Sequence, residues 1–268
     1  MTRADLLASI KARKSFLCVG LDPDLEKIPK HLLRHEDPVL AFNRQIIEAT
    51  LPYCVAYKPN LAFFEALGPS GWVTLQKTLA LIPKTHFTIA DAKRGDIGNT
   101  STLYARAFFE KLSVDAITVA PYMGEDSVKP FLAFPGKWAI LLAHTSNPGS
   151  DNFQTLETRG GNRVYEEVIV QAQRWGTPDN LMFVIGATQA DKIAAIRQLA
   201  PDHFFLVPGV GAQGGDLDVV CRAGRNAQIG LLVNASRSIL YASSGEDFAA
   251  HAEAEARSLQ QQMTTFIP

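Results

Sequence analysis

Eight short apolar runs, spaced along the chain and each followed by a helical pattern, constrain this sequence more than any other feature. They are "FLCVGLD" (16–22), "CVAYKPN" (54–60), "FTIADAK" (87–93), "DAITVAP" (115–121), "WAILLAHTS" (138–146), "LMFVIGA" (181–187), "FFLVPGV" (204–210) and "GLLVNAS" (230–236). Near-continuous apolar segments suit parallel strands covered on both faces. The stretches between them, such as "VLAFNRQIIEATL", "WVTLQKTLALI" and "VYEEVIVQAQRW", are amphipathic. Eight strands alternating with eight helices make either a closed parallel barrel or an open doubly wound sheet. Even spacing favours the (β/α)8 barrel, because a closed ring leaves no edge strand to protect. "MTRADLLASIKARKSF" reads as a lead-in helix, with Leu6, Leu7 and Ile10 at helical spacing, and a last helix is expected from about Glu246 to Phe266.

No low-complexity or Pro/Gly/Ser-rich linker divides the 268 residues, so a single barrel domain over 1–268 is expected. The one long irregular segment, "SNPGSDNFQTLETRGGN" (146–162), reads as a functional loop and not as a linker. With 26 basic against 27 acidic residues, nothing points to nucleic acid or an anionic membrane as partner. No apolar run approaches the roughly 20 residues that span a bilayer. The N-terminus lacks a signal peptide's apolar core, and Cys18, Cys54 and Cys221 form no C-x-x-C pair. A cytoplasmic protein with buried, inert thiols is expected.

In such barrels the chemistry sits at the carboxyl ends of the strands. Here those ends carry Asp22, then Lys58 and Asn60, then Asp91 and Lys93, then His144 and Ser146, then "PGVGAQGGD" and "NASRS". The strand starts show no comparable set, and His86 lies at the wrong rim. His144 reads as a satisfied structural histidine. Phe63, Phe64, Phe108 and Phe109 read as core or dimer contacts. The third run is the sharpest signal. Period-two alternation puts Asp91 and Lys93 on the inward face shared by Ile89. Gly95 then allows a turn that brings Asp96 back towards the ammonium. A lysine between two carboxylates in a partly dry site stays protonated, which suits a fixed cation and proton donor and not a Schiff-base nucleophile. The bland alternative is a solvated turn with a surface ion pair.

"GVGAQG" (209–214) satisfies G-x-G-x-x-G, which a dinucleotide fold would also show. It lies in the seventh βα unit, however, and the next strand ends without an acidic residue to hold a ribose. A phosphate site fits better: Gly211, Gly214 and Gly215 admit an anion to backbone N–H groups, and Arg237 after the eighth strand supplies charge. Together these elements suggest a phosphorylated small molecule whose reacting centre faces Lys93.

"DAKRGDIGNT" (91–100) also resembles the D-x-K-x-x-D signature of the orotidine 5'-phosphate decarboxylase family. The resemblance extends in order through "VGLDPD", "YKPN", "TSNPGS", "VPGVGAQGGD" and "NASRSI", covers essentially the whole chain, and is closest to the longer bacterial branch. It implies a homodimeric (β/α)8 barrel that converts orotidine 5'-phosphate to UMP and CO2, in de novo pyrimidine synthesis, without metal or organic cofactor. By the same resemblance Lys93 would donate the proton to C6 and Asp91 would lie beside the departing carboxylate. Asp96 and Thr100 would reach across the dimer into the neighbouring site. Asp22 and Lys58 would bind ribose hydroxyls, Ser146 the pyrimidine, Gln213 both base and phosphate, and Arg237 the phosphate.

Two rivals share parts of the pattern. Metal-dependent sugar-phosphate decarboxylases and aldolases carry D-x-K-x-x-D but place a glutamate on strand two to help hold Mg2+, where this chain has Lys58. A non-catalytic barrel that binds UMP would need the pocket but not the full Asp91, Lys93 and Asp96 set.

Overall fold

A computed structural model of the chain describes residues 1–187, 190–209 and 216–267. Its strands are β1 (Leu17–Leu21), β2 (Ala56–Pro59), β3 (Phe87–Arg94), β4 (Ala116–Val119), β5 (Trp138–His144), β6 (Leu181–Ile185), β7 (Phe204–Pro208) and β8 (Leu231–Ala235). They close into a barrel in chain order, β1 to β8, with helices between them, so the expected (β/α)8 architecture is met. Adjacent strands run parallel, with Cys18 opposite Ala56 and Gly20 opposite Lys58. β1, β2, β4, β6 and β8 are buried at every position, as continuous apolar runs require when both faces are covered. Each strand falls within its apolar run or within one residue of it. Most stop one or two residues short of the run's end.

The lead-in helix is Arg3–Arg13, which buries Leu6 and Ile10, and the last helix is Phe248–Thr264. Local chemistry sets several helix starts. Asp37 accepts the Leu40 N–H at 2.9 Å just before Pro38, which has no N–H to satisfy. Asp216 accepts from Asp218 and Val219 to start Leu217–Gly224. Among the described residues no helix is long and apolar enough to cross a membrane.

The chain divides into two compact units. One comprises Met1–Arg3 with Lys93–Val233, the other Ala4–Ala92 with Asn234–Pro268. In the first, the start of the strands is a polar framework, contrary to the expectation of a plain rim. Arg197 is buried and donates to the carbonyls of Gly224, Ala200, Pro201, His203 and Gly230. Its guanidinium also lies 3.6 Å from the centre of the Phe205 ring. Five carbonyl dipoles take the place of a carboxylate, so the charge is solvated by backbone. Arg3 donates to Pro178 and Asp202 carbonyls at 2.6 and 2.7 Å. In the second unit His86, at the start of β3, bonds the Leu51 carbonyl at 3.0 Å. These groups flank the apolar runs, so a reading that begins at the first apolar residue passes over them.

His203 is buried in the same framework with neither ring nitrogen hydrogen-bonded. Burial, then the Arg3 and Arg197 charges, push its pKa down to about 4. The folded protein therefore binds a proton there less readily than the unfolded chain, whose histidines titrate near 6.5. Its contribution is fully present above that value and is lost as pH falls towards 4. We expect stability to decline by about 2 kcal/mol over this window through His203 alone. In His203→Leu, urea midpoints measured between pH 7 and 4 should show a shallower decline. An unchanged slope would assign the acid sensitivity to other groups.

Candidate active site

In a closed parallel barrel all carboxyl strand ends share one rim. In the second unit that rim carries Asp22, Lys58 and Asp91. Lys58 is 4 % exposed, and its Nζ lies 2.9 Å from Asp91 Oδ2. Burial alone would lower its pKa, but the Asp91 and Asp22 carboxylates outweigh it and hold the ammonium above the ordinary lysine range. Lys58 is thus a charged, buried cation facing two anions. Directly beneath is Cys18, whose thiol burial pushes far up. Cys54 and Cys221, also free and buried, are pushed up to about 12. All three are buried, as expected, and burial that keeps a thiol protonated disfavours the reactive thiolate.

Asp22 is pinned through its own backbone. The Tyr241 hydroxyl donates to the Asp22 carbonyl and accepts from the Asp24 N–H, both at 2.8 Å. Beside it the end of β8 packs against β1 in a way only glycine permits. A Cβ on Gly20 would stand 1.7 Å from Ser236 Oγ and 3.3 Å from Asn234 Oδ1. Among the described residues, Asp22 Oδ1, Asn234 Oδ1 and Ser236 Oγ are buried without a hydrogen-bond partner. Each such atom costs about 1–3 kcal/mol, so three at one rim mark a place built to meet polar groups of a ligand. Arg237 follows as the exposed first residue of the short helix Arg237–Leu240.

In the first unit the rim begins with Lys93, and here one expectation needs correction. Lys93 is exposed, not buried, and its backbone has φ 47. Left-handed backbone ends the in–out alternation at Ala92, so the strand pattern that paired Lys93 with Ile89 does not reach it. Lys58, in the second unit, is buried. β3 runs to Arg94 and the chain leaves it at Gly95, where a Cβ would sit 3.1 Å from the Ala120 carbonyl. A left-handed lysine costs about 1–2 kcal/mol. It is held by the buried Thr118 of β4, whose hydroxyl accepts the Lys93 N–H at 2.9 Å. Asp96 Oδ1 accepts the Ile97 N–H at 2.7 Å, and Thr100 is exposed on the helix Gly98–Arg106.

After β5 the segment 145–154 is tied down. Ser146 packs so closely on Gly186 that a Cβ there would lie 2.8 Å from Ser146 Cβ. Gln154 accepts the Thr145 N–H at 2.8 Å and donates to Thr145 Oγ1 at 2.9 Å, and Thr145 donates in turn to Asn147 Oδ1 at 2.6 Å. His144 is buried edge-on to Tyr165, 4.7 Å between ring centres, and burial lowers its pKa. Its Nε2 is buried without a hydrogen-bond partner, so the satisfied histidine expected here is not met at that atom. Phe64, Phe108 and Phe109 are core. The assignments to Gly211, Gln213, Gly214 and Gly215 lie outside the described residues.

The motif order, the barrel and the carboxylate–lysine rim can be set against known proteins. The model of the family described as "Orotidine 5'-phosphate decarboxylase / HUMPS family" matches residues 15–252. The chain belongs to this family. A curated relative named orotidine 5'-phosphate decarboxylase, from Flavobacterium johnsoniae, is 57% identical over 270 residues, covering 100% of this chain and 98% of that one. Another of the same name, from Phocaeicola vulgatus, is 56% identical over 266 residues, 98% of both chains. Among solved structures, Leishmania donovani OMP decarboxylase superposes with a TM-score of 0.86 at 37% identity, covering 99% of each chain. Within the orotidine 5'-phosphate decarboxylase / HUMPS family, the Lys58–Asp91 pair speaks to which chemistry this member performs. Sequence reasoning had Lys58 as a ribose ligand and missed the pair. It also missed Thr118, Tyr241 and Gln154, none of which stands in a charged or glycine-rich motif. Asn234 and Ser236 lay in plain sight in "NASRS".

Proposed function

We propose that this chain, as one catalytic domain spanning 1–268, converts orotidine 5'-phosphate to UMP and CO2 in the cytoplasm. The observation that carries the reading is the buried Lys58 ammonium set against Asp91 and Asp22 at the strand ends, with Lys93 two residues beyond Asp91. Losing CO2 from C6 leaves an electron pair in the plane of the pyrimidine, where the ring's π system cannot delocalise it. Fixed charge must therefore supply much of the stabilisation. Lys93 provides a cation for that pair and then the proton that becomes the C6 hydrogen of UMP. Asp91, its position fixed by Lys58, lies beside the departing carboxylate. Asp22 and Lys58 bind ribose hydroxyls, Ser146 the pyrimidine, and Arg237 the phosphate with Gln213 and the loop around Gly211, Gly214 and Gly215. Phosphate binding far from C6 contributes to lowering the barrier. The active form is a homodimer in which Asp96 and Thr100 reach the neighbouring site.

A metal-dependent sugar-phosphate reaction needs a carboxylate where this chain has Lys58, and an ammonium 2.9 Å from Asp91 repels a divalent cation. The test is to incubate purified protein with orotidine 5'-phosphate and follow the loss of orotate absorbance, with and without EDTA, over a range of protein concentrations. We expect turnover that EDTA leaves unchanged and a specific activity that falls when dilution separates the dimer. A strict Mg2+ requirement would transfer the chain to the metal-dependent reading. Tight UMP binding with no loss of absorbance would make it a binding barrel.

A further inference from the structure

The segment that follows β5 is long and irregular, yet it is anchored at one side chain. Gln154 uses both ends of its amide on a single residue: its Oε1 accepts the Thr145 N–H and its Nε2 donates to Thr145 Oγ1. Its own backbone is fixed at both ends as well. The Gln154 N–H bonds the Ser150 carbonyl at 2.8 Å, and its carbonyl accepts the Tyr165 N–H at 3.0 Å, next to the start of the helix Val164–Ala172. Three pieces of chain, the end of β5, the turn Pro148–Asn152 and the following helix, therefore meet at one half-buried amide. Thr145 passes the constraint on by donating to Asn147 Oδ1, so the residues on either side of Ser146 are bound into one chain of hydrogen bonds. On its other side Ser146 rests against Gly186, where no side chain would fit.

Ser146 is consequently held from two directions, and only one of them is adjustable by a side chain. We propose that Gln154 is a positioning residue for the pyrimidine end of the site, acting through Thr145 to fix where Ser146 meets the base. The inference rests on the reading of Ser146 as the pyrimidine contact. A bidentate amide has the geometry for this: donor and acceptor together set both the position and the rotation of the Thr145 peptide, which one hydrogen bond would not. Misplacement of a contacting group by about 1 Å can cost of order a hundredfold in turnover efficiency, so a clamp this close to the contact is sensitive.

The experiment compares affinity for UMP with affinity for ribose 5-phosphate, which lacks the base, in wild type, Gln154→Ala, Gln154→Glu and Thr145→Val. Gln154→Ala should weaken UMP about tenfold while ribose 5-phosphate stays within about twofold, and KM for orotidine 5'-phosphate should rise more than kcat falls. Gln154→Glu still accepts the Thr145 N–H, but its second oxygen meets Thr145 Oγ1, whose one proton goes to Asn147, so it should recover only part of the UMP affinity. Thr145→Val, which loses the hydroxyl and keeps the N–H bond, should fall between. Equal loss of UMP and ribose 5-phosphate affinity, or none of either in a folded Gln154→Ala, would overturn the proposal. If Gln154→Ala does not fold, the Glu and Val variants decide it by the same ratio. A wild type that binds UMP but does not turn over orotidine 5'-phosphate would refute the function and leave this inference standing on the affinity ratio.

Discussion

Lys93→Ala is expected to lower kcat by about 10⁴-fold or more while leaving UMP affinity near the wild-type value. The asymmetry follows from the chemistry. UMP already carries its C6 proton, so it asks nothing of a proton donor, whereas the reaction needs a cation at C6 when the electron pair forms and a proton immediately afterwards. The backbone offers a second, independent readout. At φ 47, Lys93 occupies a conformation in which a side chain is strained and glycine is not. Lys93→Gly should therefore raise the melting temperature relative to Lys93→Ala, by an amount equivalent to about 1 kcal/mol, and be equally inactive. Strain retained at a position where glycine would relieve it is what a functional side chain leaves behind. Turnover in Lys93→Ala within an order of magnitude of wild type would remove the lysine from the chemistry.

The architecture was legible because the barrel writes itself into local pattern. Eight apolar runs at even spacing leave few alternatives, and β3 and β5 start at the first residues of their runs, Phe87 and Trp138. What pattern could not show is where a strand stops obeying its own period. β3 continues to Arg94, but Lys93 is left-handed, and nothing in "ADAKRGD" signals this, because non-glycine residues adopt such backbone only when surrounding contacts impose it. The imposing contact, the Thr118 hydroxyl, comes from the next strand, 25 residues on.

The same limit explains the site. Charged residues at strand ends could be placed on one rim from topology alone, since all strands point the same way. Their pairing could not, because it depends on side-chain reach between strands. Lys93 was the natural partner for Asp91, two residues away on the supposed inward face. Asp91 also bonds Lys58, a buried residue 33 positions away in sequence, and no local spacing announces that contact. Gln154 and Tyr241 were invisible for a related reason: each bonds backbone groups, of Thr145 and of Asp22 and Asp24, and backbone groups leave no trace in residue type. Gly20 is the partial exception. It stood in the quoted motif "VGLDPD", and the need for glycine there comes from Ser236 at the far end of the chain.

Lys58→Met keeps the length and bulk of the side chain and removes only the charge, so it isolates what the buried ammonium does. Asp91 and Asp22 then lose the Lys58 ammonium that both face, and breaking a buried pair from one side costs about 3–5 kcal/mol. We expect the variant to lose stability on that scale by chemical denaturation and to recover part of it as pH is lowered, because Asp91 can take up a proton and shed its charge. Wild type should behave in the opposite sense at the alkaline end. A lysine held above its ordinary range contributes stability that is complete below the unfolded value near 10.4 and is lost only as pH rises through the folded value. The double variant Lys58→Met/Asp91→Asn removes the Asp91 charge as well and should regain part of the lost stability, since a neutral amide costs less to bury than a carboxylate that has lost its ammonium. It should not regain activity, because Asp91 is then no longer an anion beside the departing carboxylate and the ribose has lost a ligand. Recovery of turnover along with stability in the double variant would reduce the pair to a structural ion pair. A single variant as stable as wild type would show that Lys58 does not hold the charge the geometry assigns to it.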